Sequence, residues 1–351
     1  MLMSDLYLSG ATPATVSERL AGWGLLVEQD PPDLPFASKN ANLIGRDGQG
    51  GRFLVKMADG DDALGVVHEG RVLSVLAALA ADTDAPMALP QVHAFDEALG
   101  LLALRWLGHG QNLHYYHRYT QRYGAELGRM VGRGLGWLHA ETHTRLAAFP
   151  ATIETPVSSV EPLLYLRVDQ YARLSRAGMA FYAAVQDDGA AMRALVAMSR
   201  HEAAPCLLHG DLKQANLLRV PARPPQIVFL DWELAHAGDP AADLGALIAN
   251  YLPGWLGPRS HREAVDQAEL VRFCAALMGS YRHQRGKRFP VEKDFPLRVM
   301  RWAGASLLAQ ILAITTLEAR FDEREIGLTR YALDMLTNPY RWAWELLEVL
   351  P

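Results

Sequence analysis

The segment His209-Gly210-Asp211-Leu212-Lys213-Gln214-Ala215-Asn216 sets a carboxylate, an ammonium and an amide side by side, and Asp231-Trp232-Glu233 follows the apolar run Gln226–Leu230. Hard divalent cations take few protein oxygens and complete their shell with phosphate oxygens and water. Asn216 and Asp231 are the residue types to hold Mg²⁺ on a triphosphate. Asp211 can then accept, or orient, the proton of an attacking hydroxyl. An Asp and an Asn at this spacing also build tight turns through their own backbone hydrogen bonds. The preceding His-Gly, the following strand-like run and the second carboxylate favour the chemical reading.

The elements that must position these groups fall into two regions. Residues 36–57 read as two strands joined by a Gly-rich turn over Gly45–Gly51. Val66, Val67, Gly70, Leu73, Leu76 and Leu79 have helical spacing. Gln91–Phe95 and Gly100–Leu107 read as strands, and Ser17–Trp23 as a short helix. From Asn112 the pattern turns helical, with long helices over Leu127–Thr142, Leu163–Val185 and Ala190–Glu202. Cys206–His209 and Gln226–Asp231 are short strand-like runs. Pro240–Leu350 is helical, interrupted at Pro253–Pro258 and Pro290–Pro296. A β-rich N-terminal lobe, 1–107, and an α-rich lobe, 108–351, place a site in the cleft between them.

The catalytic segment resembles the catalytic loop and metal-binding motif of the aminoglycoside phosphotransferase/choline kinase-like superfamily, itself related to protein kinases. Gly210 stands where protein kinases carry Arg, and Trp232-Glu233 where they carry Phe-Gly. Both replacements look like the small-molecule-kinase branch, as does Gly238-Asp-Pro-Ala-Ala-Asp-Leu-Gly245. The likeness is specific over Leu207–Leu247 and looser over Ala37–Ala140. It implies an α+β, bilobal protein-kinase-like fold and an ATP-dependent kinase using ATP and Mg²⁺. It also implies roles: Asp211 as base, Lys213 on the transferring phosphoryl group, Asn216 and Asp231 on the metal, and Asp243 as a buttress of the loop. Lys56 would pair the nucleotide phosphates, held by Glu69. Ser38 and Asn40 lie in the Ser/Asn-rich stretch that would cover those phosphates, and the hinge backbone near Arg105 and Leu107 would meet the base.

Composition supports the same picture. Only five of the 34 basic residues are lysine (Lys39, Lys56, Lys213, Lys287, Lys293), and three of the five lie in segments expected to face phosphate. Arginine does not replace a compact ammonium on a thin stem. Half of the 351 residues are hydrophobic and the formal net charge is −5, which excludes a wholly disordered chain and disfavours a nucleic-acid binder. Two widely spaced cysteines, Cys206 and Cys274, make neither a disulfide framework nor a metal knuckle, and suit a cytoplasmic protein. The apolar stretch Ala303–Leu317 is shorter than the roughly 20 residues a membrane span needs, and no signal peptide is read at the N-terminus.

The acceptor is the open question. Ala151–Arg200 carries five acidic residues against five arginines, which does not resemble a trap for polycations. Gln111–Tyr123 interleaves His114, His117, Arg118 and Arg122 with tyrosines, and Tyr281–Arg288 is a basic cluster. Both read as helix surface or as a rim for a peptide or anion. The first expectation is a kinase of a hydroxyl-bearing small molecule: an antibiotic, amino alcohol or sugar. The alternative is a kinase that phosphorylates Ser/Thr in a ribosomally made peptide, with a separate lyase as partner. A nucleotide-binding pseudokinase scaffold is disfavoured, because Lys56, Asp211 and Asp231 are all present.

Overall fold

A computed structural model describes residues 13–27, 41–57, 63–154, 160–200, 205–261 and 263–348. The chain divides into two compact units, each described by itself. The first holds the chain through Gly110 together with Ala147–Thr152 and Leu218–Ala235; the second holds the rest.

The first unit begins with α1 (Pro13–Gly22), β1 (Leu26–Val27), β2 (Ala41–Arg46), β3 (Arg52–Met57), α2 (Ala63–Asp82), β4 (Val92–Asp96) and β5 (Leu101–Arg105). The strands form one antiparallel sheet in the order β1-β2-β3-β5-β4. The β2–β3 turn is narrower than the glycines suggest. Gly45 pairs with Phe53 inside the ladder, and Asp47 Oδ1 closes the turn by accepting the Gln49 and Gly51 N–H groups at 2.9 and 2.7 Å. Val16, Leu20, Leu25, Phe53, Val55, Met57, Leu101 and Ala103 pack as its apolar core. Helix α2 lies close on the sheet, because a Cβ at Gly70 would meet the Phe95 ring at 2.4 Å.

The second unit opens with β6 (Gln111–Asn112), α3 (Leu113–Thr120) and α4 (Ala125–His143). One long helix was expected over Leu163–Val185. The chain instead makes α5 (Glu161–Leu164), α6 (Val168–Tyr171) and α7 (Arg176–Gln186). Tyr165 and Arg167 are extended, and Ser175 caps a fresh start by accepting the Gly178 N–H at 3.0 Å. Helix α8 (Gly189–Ser199) and β7 (Cys206–Leu208) follow. The chain then returns to the first unit with β8 (Leu217–Val220) and β9 (Gln226–Phe229). β10 (His236–Gly238) pairs antiparallel with β7, and α9 (Ala241–Leu256), α10 (Gln267–Gly286), α11 (Phe295–Leu317), α12 (Glu323–Thr337) and α13 (Pro339–Leu347) complete the second unit. Helix α9 runs through Pro253 to Leu256, so the expected break falls later than the proline.

Glycines set the tightest helix pair. On α4, Gly128, Gly132 and Gly136 share one face at four-residue spacing. A Cβ there would meet the backbone oxygens of Phe273, Leu277 and Tyr281 on α10 at 2.3, 2.3 and 2.8 Å. Helix α11, at 23 residues, is long and apolar enough to cross a membrane, contrary to the reading of a short stretch. Thirteen of its residues are buried, including Leu297, Val299, Met300, Leu307, Leu308 and Ile311. Its neighbours are α9, α12 and α13.

Candidate active site

Two clusters of chemically able residues form, one in each unit. In the first, Lys56 sits near the end of β3, paired in register with Asn42 and Leu102. Its Nζ lies 2.6 Å from Glu69 Oε2 and 2.6 Å from Asp231 Oδ1. Glu69 is fully buried. It shares the face of α2 with Val66, Leu73 and Leu76, a charge inside an apolar stripe, and such a charge needs a partner. Its other oxygen accepts the Trp232 N–H at 3.3 Å. Burial alone would depress the Lys56 pKa, but the Glu69 and Asp231 carboxylates outweigh it and hold the ammonium protonated, above its usual range. Burial pushes the Glu69 carboxyl up, against the pull of Lys56.

Asp231 reaches this cluster because β9 is held in the first unit. The Ala88 N–H donates to the Ile227 carbonyl at 3.1 Å, and the Phe229 N–H to the Ala88 carbonyl at 3.2 Å. The chain then turns sharply at Asp231, whose φ is +69°. Asp tolerates that left-handed region better than most residues. Trp232 is fully buried and donates its indole N–H to the Phe229 carbonyl at 2.8 Å. His68, beside Glu69, bridges the Ala235 carbonyl at 2.7 Å and the Thr152 hydroxyl at 2.8 Å. These contacts fix α2 to the segment after β9. Neither His68 nor the Lys56–Asp231 pair was anticipated from the sequence, since each depends on partners distant in the chain.

In the second unit, Asp211 Oδ2 accepts from Lys213 Nζ at 2.6 Å and from Asn216 Nδ2 at 3.0 Å. Asn216 Nδ2 also donates to the Asp211 carbonyl at 2.9 Å, which commits the amide nitrogen to the loop. Asp211 and Lys213 stay partly open, with side chains 27% and 42% exposed. Gly210 has φ +81°, a conformation that disfavours any side chain, which accounts for glycine where protein kinases carry arginine.

Helix α9 holds this loop at two points. Asp243 Oδ2 accepts the His209 N–H at 2.8 Å, and its Oδ1 accepts the Gly210 N–H at 3.2 Å. Two turns further on, Asn250 accepts the Gln214 N–H at 3.0 Å and its carbonyl accepts the Gln214 amide at 3.2 Å. Asp243 therefore has the geometry of a buttress.

The remaining expectations fare variously. Ser38 and Asn40, with Lys39, lie outside the described residues. Near the expected hinge, the Arg105 N–H donates to Gln91 and the Trp106 N–H to Arg52, both at 2.9 Å, while the Leu107 carbonyl accepts from Gly110 at 2.8 Å. The basic segment Tyr281–Arg288 is not one surface. Tyr281 and Arg285 are buried, and the Arg285 guanidinium lies over the Phe289 and Phe295 rings, 5.2 and 5.7 Å from their centroids. In Gln111–Tyr123, His117 and Tyr123 turn inward and stack 4.4 Å apart.

The chain matches the model of the phosphotransferase enzyme family over residues 35–283 and belongs to that family. It is accordingly an ATP-dependent kinase acting on hydroxyl groups. Solved structures share the fold at low identity. A choline kinase from Streptococcus pneumoniae is 15% identical, with a TM-score of 0.55, over 92% of this chain and 98% of that one. The Plasmodium vivax ethanolamine kinase is 12% identical, with a TM-score of 0.57, over 97% and 93%. An amicoumacin kinase, solved with AMP-PNP, Ca²⁺ and its antibiotic, is 13% identical, with a TM-score of 0.55, over 93% of each chain. Mouse acyl-CoA dehydrogenase family member 11 is 33% identical over 82 residues, which span 23% of this chain and 10% of that protein.

Proposed function

We propose that the protein transfers the γ-phosphoryl group of Mg-ATP to the hydroxyl of a small molecule. The observation that carries this reading is the Asp211 carboxylate held by Lys213 and Asn216 on a loop pinned to α9. Asp211 takes the hydroxyl proton as the acceptor oxygen attacks the γ-phosphorus. The bond to the bridging oxygen breaks and ADP leaves with those electrons. Lys213 offsets charge on the equatorial oxygens. Lys56, oriented by Glu69, grips the nucleotide phosphates.

The residue types suit Mg²⁺. Asn216 and Asp231 offer hard oxygens, and among the described residues no group of three acidic, His or Cys side chains forms a cage of its own. Such a cation depends on nucleotide oxygens for its shell, as Mg²⁺ commonly does. When bound, it neutralises charge on the β- and γ-phosphates.

Choline, ethanolamine and amicoumacin, named for the structural neighbours, are all small hydroxyl compounds, which supports that acceptor class. Lys213 Nζ lies 2.6 Å from Asp211 Oδ2, a pairing that does not by itself separate a small alcohol from a Ser/Thr hydroxyl. The test is transfer from labelled Mg-ATP into pools of small alcohols and of Ser/Thr peptides, with Asp211→Ala as blank. Label in the small-alcohol pool that vanishes with Asp211→Ala is expected; label in peptides alone would overturn the acceptor class.

A further inference from the structure

The catalytic loop borders a cavity of about 480 Å³ built wholly within the second unit, with Gly210 in its wall. Most of that wall is apolar, formed by Val160, Leu164, Leu208, Ala242 and Trp302 among others. Three carboxylates line it: Glu161, Asp239 and Asp243. Two of them are already matched. Asp243 takes the His209 and Gly210 N–H groups and His139. Asp239 takes Arg298 Nε at 3.2 Å, the Trp302 indole N–H at 3.1 Å and the Ala241 N–H at 3.0 Å. A cationic substrate drawing on Asp239 would strip a partner from Arg298, whose side chain is only 8% exposed. Glu161 is exposed, where solvent weakens any pairing.

A second cavity, of about 180 Å³, shares Met198, Asp239 and Trp302 with the first. Arg298 and Arg301 line it. Arg298 is bound to Asp239 and Asp294. Arg301 makes no ion pair with any of the described residues. The cavity beside the catalytic loop is thus mostly apolar, its two interior carboxylates are spent, and the smaller cavity that shares part of its wall carries Arg301, a guanidinium with no ion pair among the described residues.

Building on the phosphotransfer reading, we infer that the acceptor is an alcohol with an apolar body and a carboxylate, which Arg301 receives, and not an amino alcohol or polycation. A guanidinium–carboxylate contact is a charge-assisted bond, and its loss costs roughly tenfold or more in affinity.

The test compares ω-hydroxyhexanoate, hexanol, aminohexanol and choline as acceptors with Mg-ATP. The hydroxyacid should exceed aminohexanol in kcat/KM by about tenfold or more. Arg301→Gln should lower the ratio of hydroxyhexanoate to hexanol by a similar factor, and Arg301→Lys should restore part of it. Preference for aminohexanol or choline, or an unchanged ratio in Arg301→Gln, overturns the inference. So does transfer to none of the four while acceptor-free ATP hydrolysis persists and depends on Asp211. Absence of both transfer and hydrolysis takes down the phosphotransfer reading and this inference together.

Discussion

His139 Nε2 lies 3.2 Å from Asp243 Oδ2, and both side chains are withdrawn from solvent. Burial pushes the His139 pKa below its usual value, against the pull of the Asp243 carboxylate. Burial would raise Asp243, but its contacts with His139 and His209 prevail and hold it ionised, below the usual carboxylate range. Facing a carboxylate, Nε2 carries a proton and donates to Asp243, while Nδ1 lies 3.1 Å from the Tyr281 hydroxyl. A relay of three side chains, from α10 through α4 to α9, ends on the backbone of the catalytic loop.

Replacing His139 should therefore be felt at the loop. His139→Phe leaves a buried carboxylate short of a donor, at a cost of about 1–3 kcal/mol. Urea denaturation should show that loss, with most of it recovered in His139→Gln. Turnover should fall in His139→Phe while the KM for ATP holds. Equal stability of the two variants would remove Asp243 as the recipient of that donor.

Lys56 and Glu69 should behave as a coupled pair. Lys56→Met strands a fully buried carboxylate, a loss of about 3–5 kcal/mol. The double variant Lys56→Met/Glu69→Gln should be more stable than the first single variant. Nucleotide affinity should fall in both. Strictly additive stability changes in a double-mutant cycle would contradict the coupling.

Gly210→Ala should cost about 1–2 kcal/mol for a side chain forced into the left-handed region. Because Asp211 is the next residue, turnover should drop further than stability alone explains. Calorimetry and steady-state kinetics on one preparation check this. Wild-type turnover in the variant would falsify the claim that the backbone at this glycine aims Asp211.

His117 sets a pH limit. Burial lowers its pKa to about 4 from the ordinary 6.5, with its ring bonded to the Arg122 carbonyl and the Tyr251 hydroxyl. Between these values the unfolded chain binds the extra proton, so stability rises with pH. The contribution is complete above pH 6.5 and is lost as pH falls towards 4. The loss over that window is about 3 kcal/mol. His117→Gln should flatten the dependence of melting temperature on pH there; an unchanged slope would assign the effect to other groups.

The chemistry-bearing loop was legible because its residue types are consecutive in the chain. Strand β3, strand β5 and helices α2 and α4 were legible because apolar periodicity is a local signal. Glu69 was legible in hindsight twice over, as a charge set among Val66, Leu73 and Leu76. His139 was not, since a histidine in an apolar helix looks the same whether it caps a core or holds a loop. The three-part break over Glu161–Gln186 hid because Tyr165 and Arg167 turn extended with no proline or glycine between them to mark the place, while the Ser175 cap, a local signal, reads as one more polar position on a long helix. The return of Leu218–Ala235 to the first unit rests on the bridge between Ala88 and Val228, a pairing too distant for local reading.

The two tethers from α9 have a dynamic consequence. Asp243 and Asn250 grip opposite ends of the same loop, so it cannot open without breaking contacts to one rigid rod. Its backbone amides at His209, Gly210 and Gln214 should exchange with solvent deuterium at rates tied to those of α9, well below those of an ordinary surface loop. The groups proposed to carry the chemistry would then be held ready before any substrate arrives.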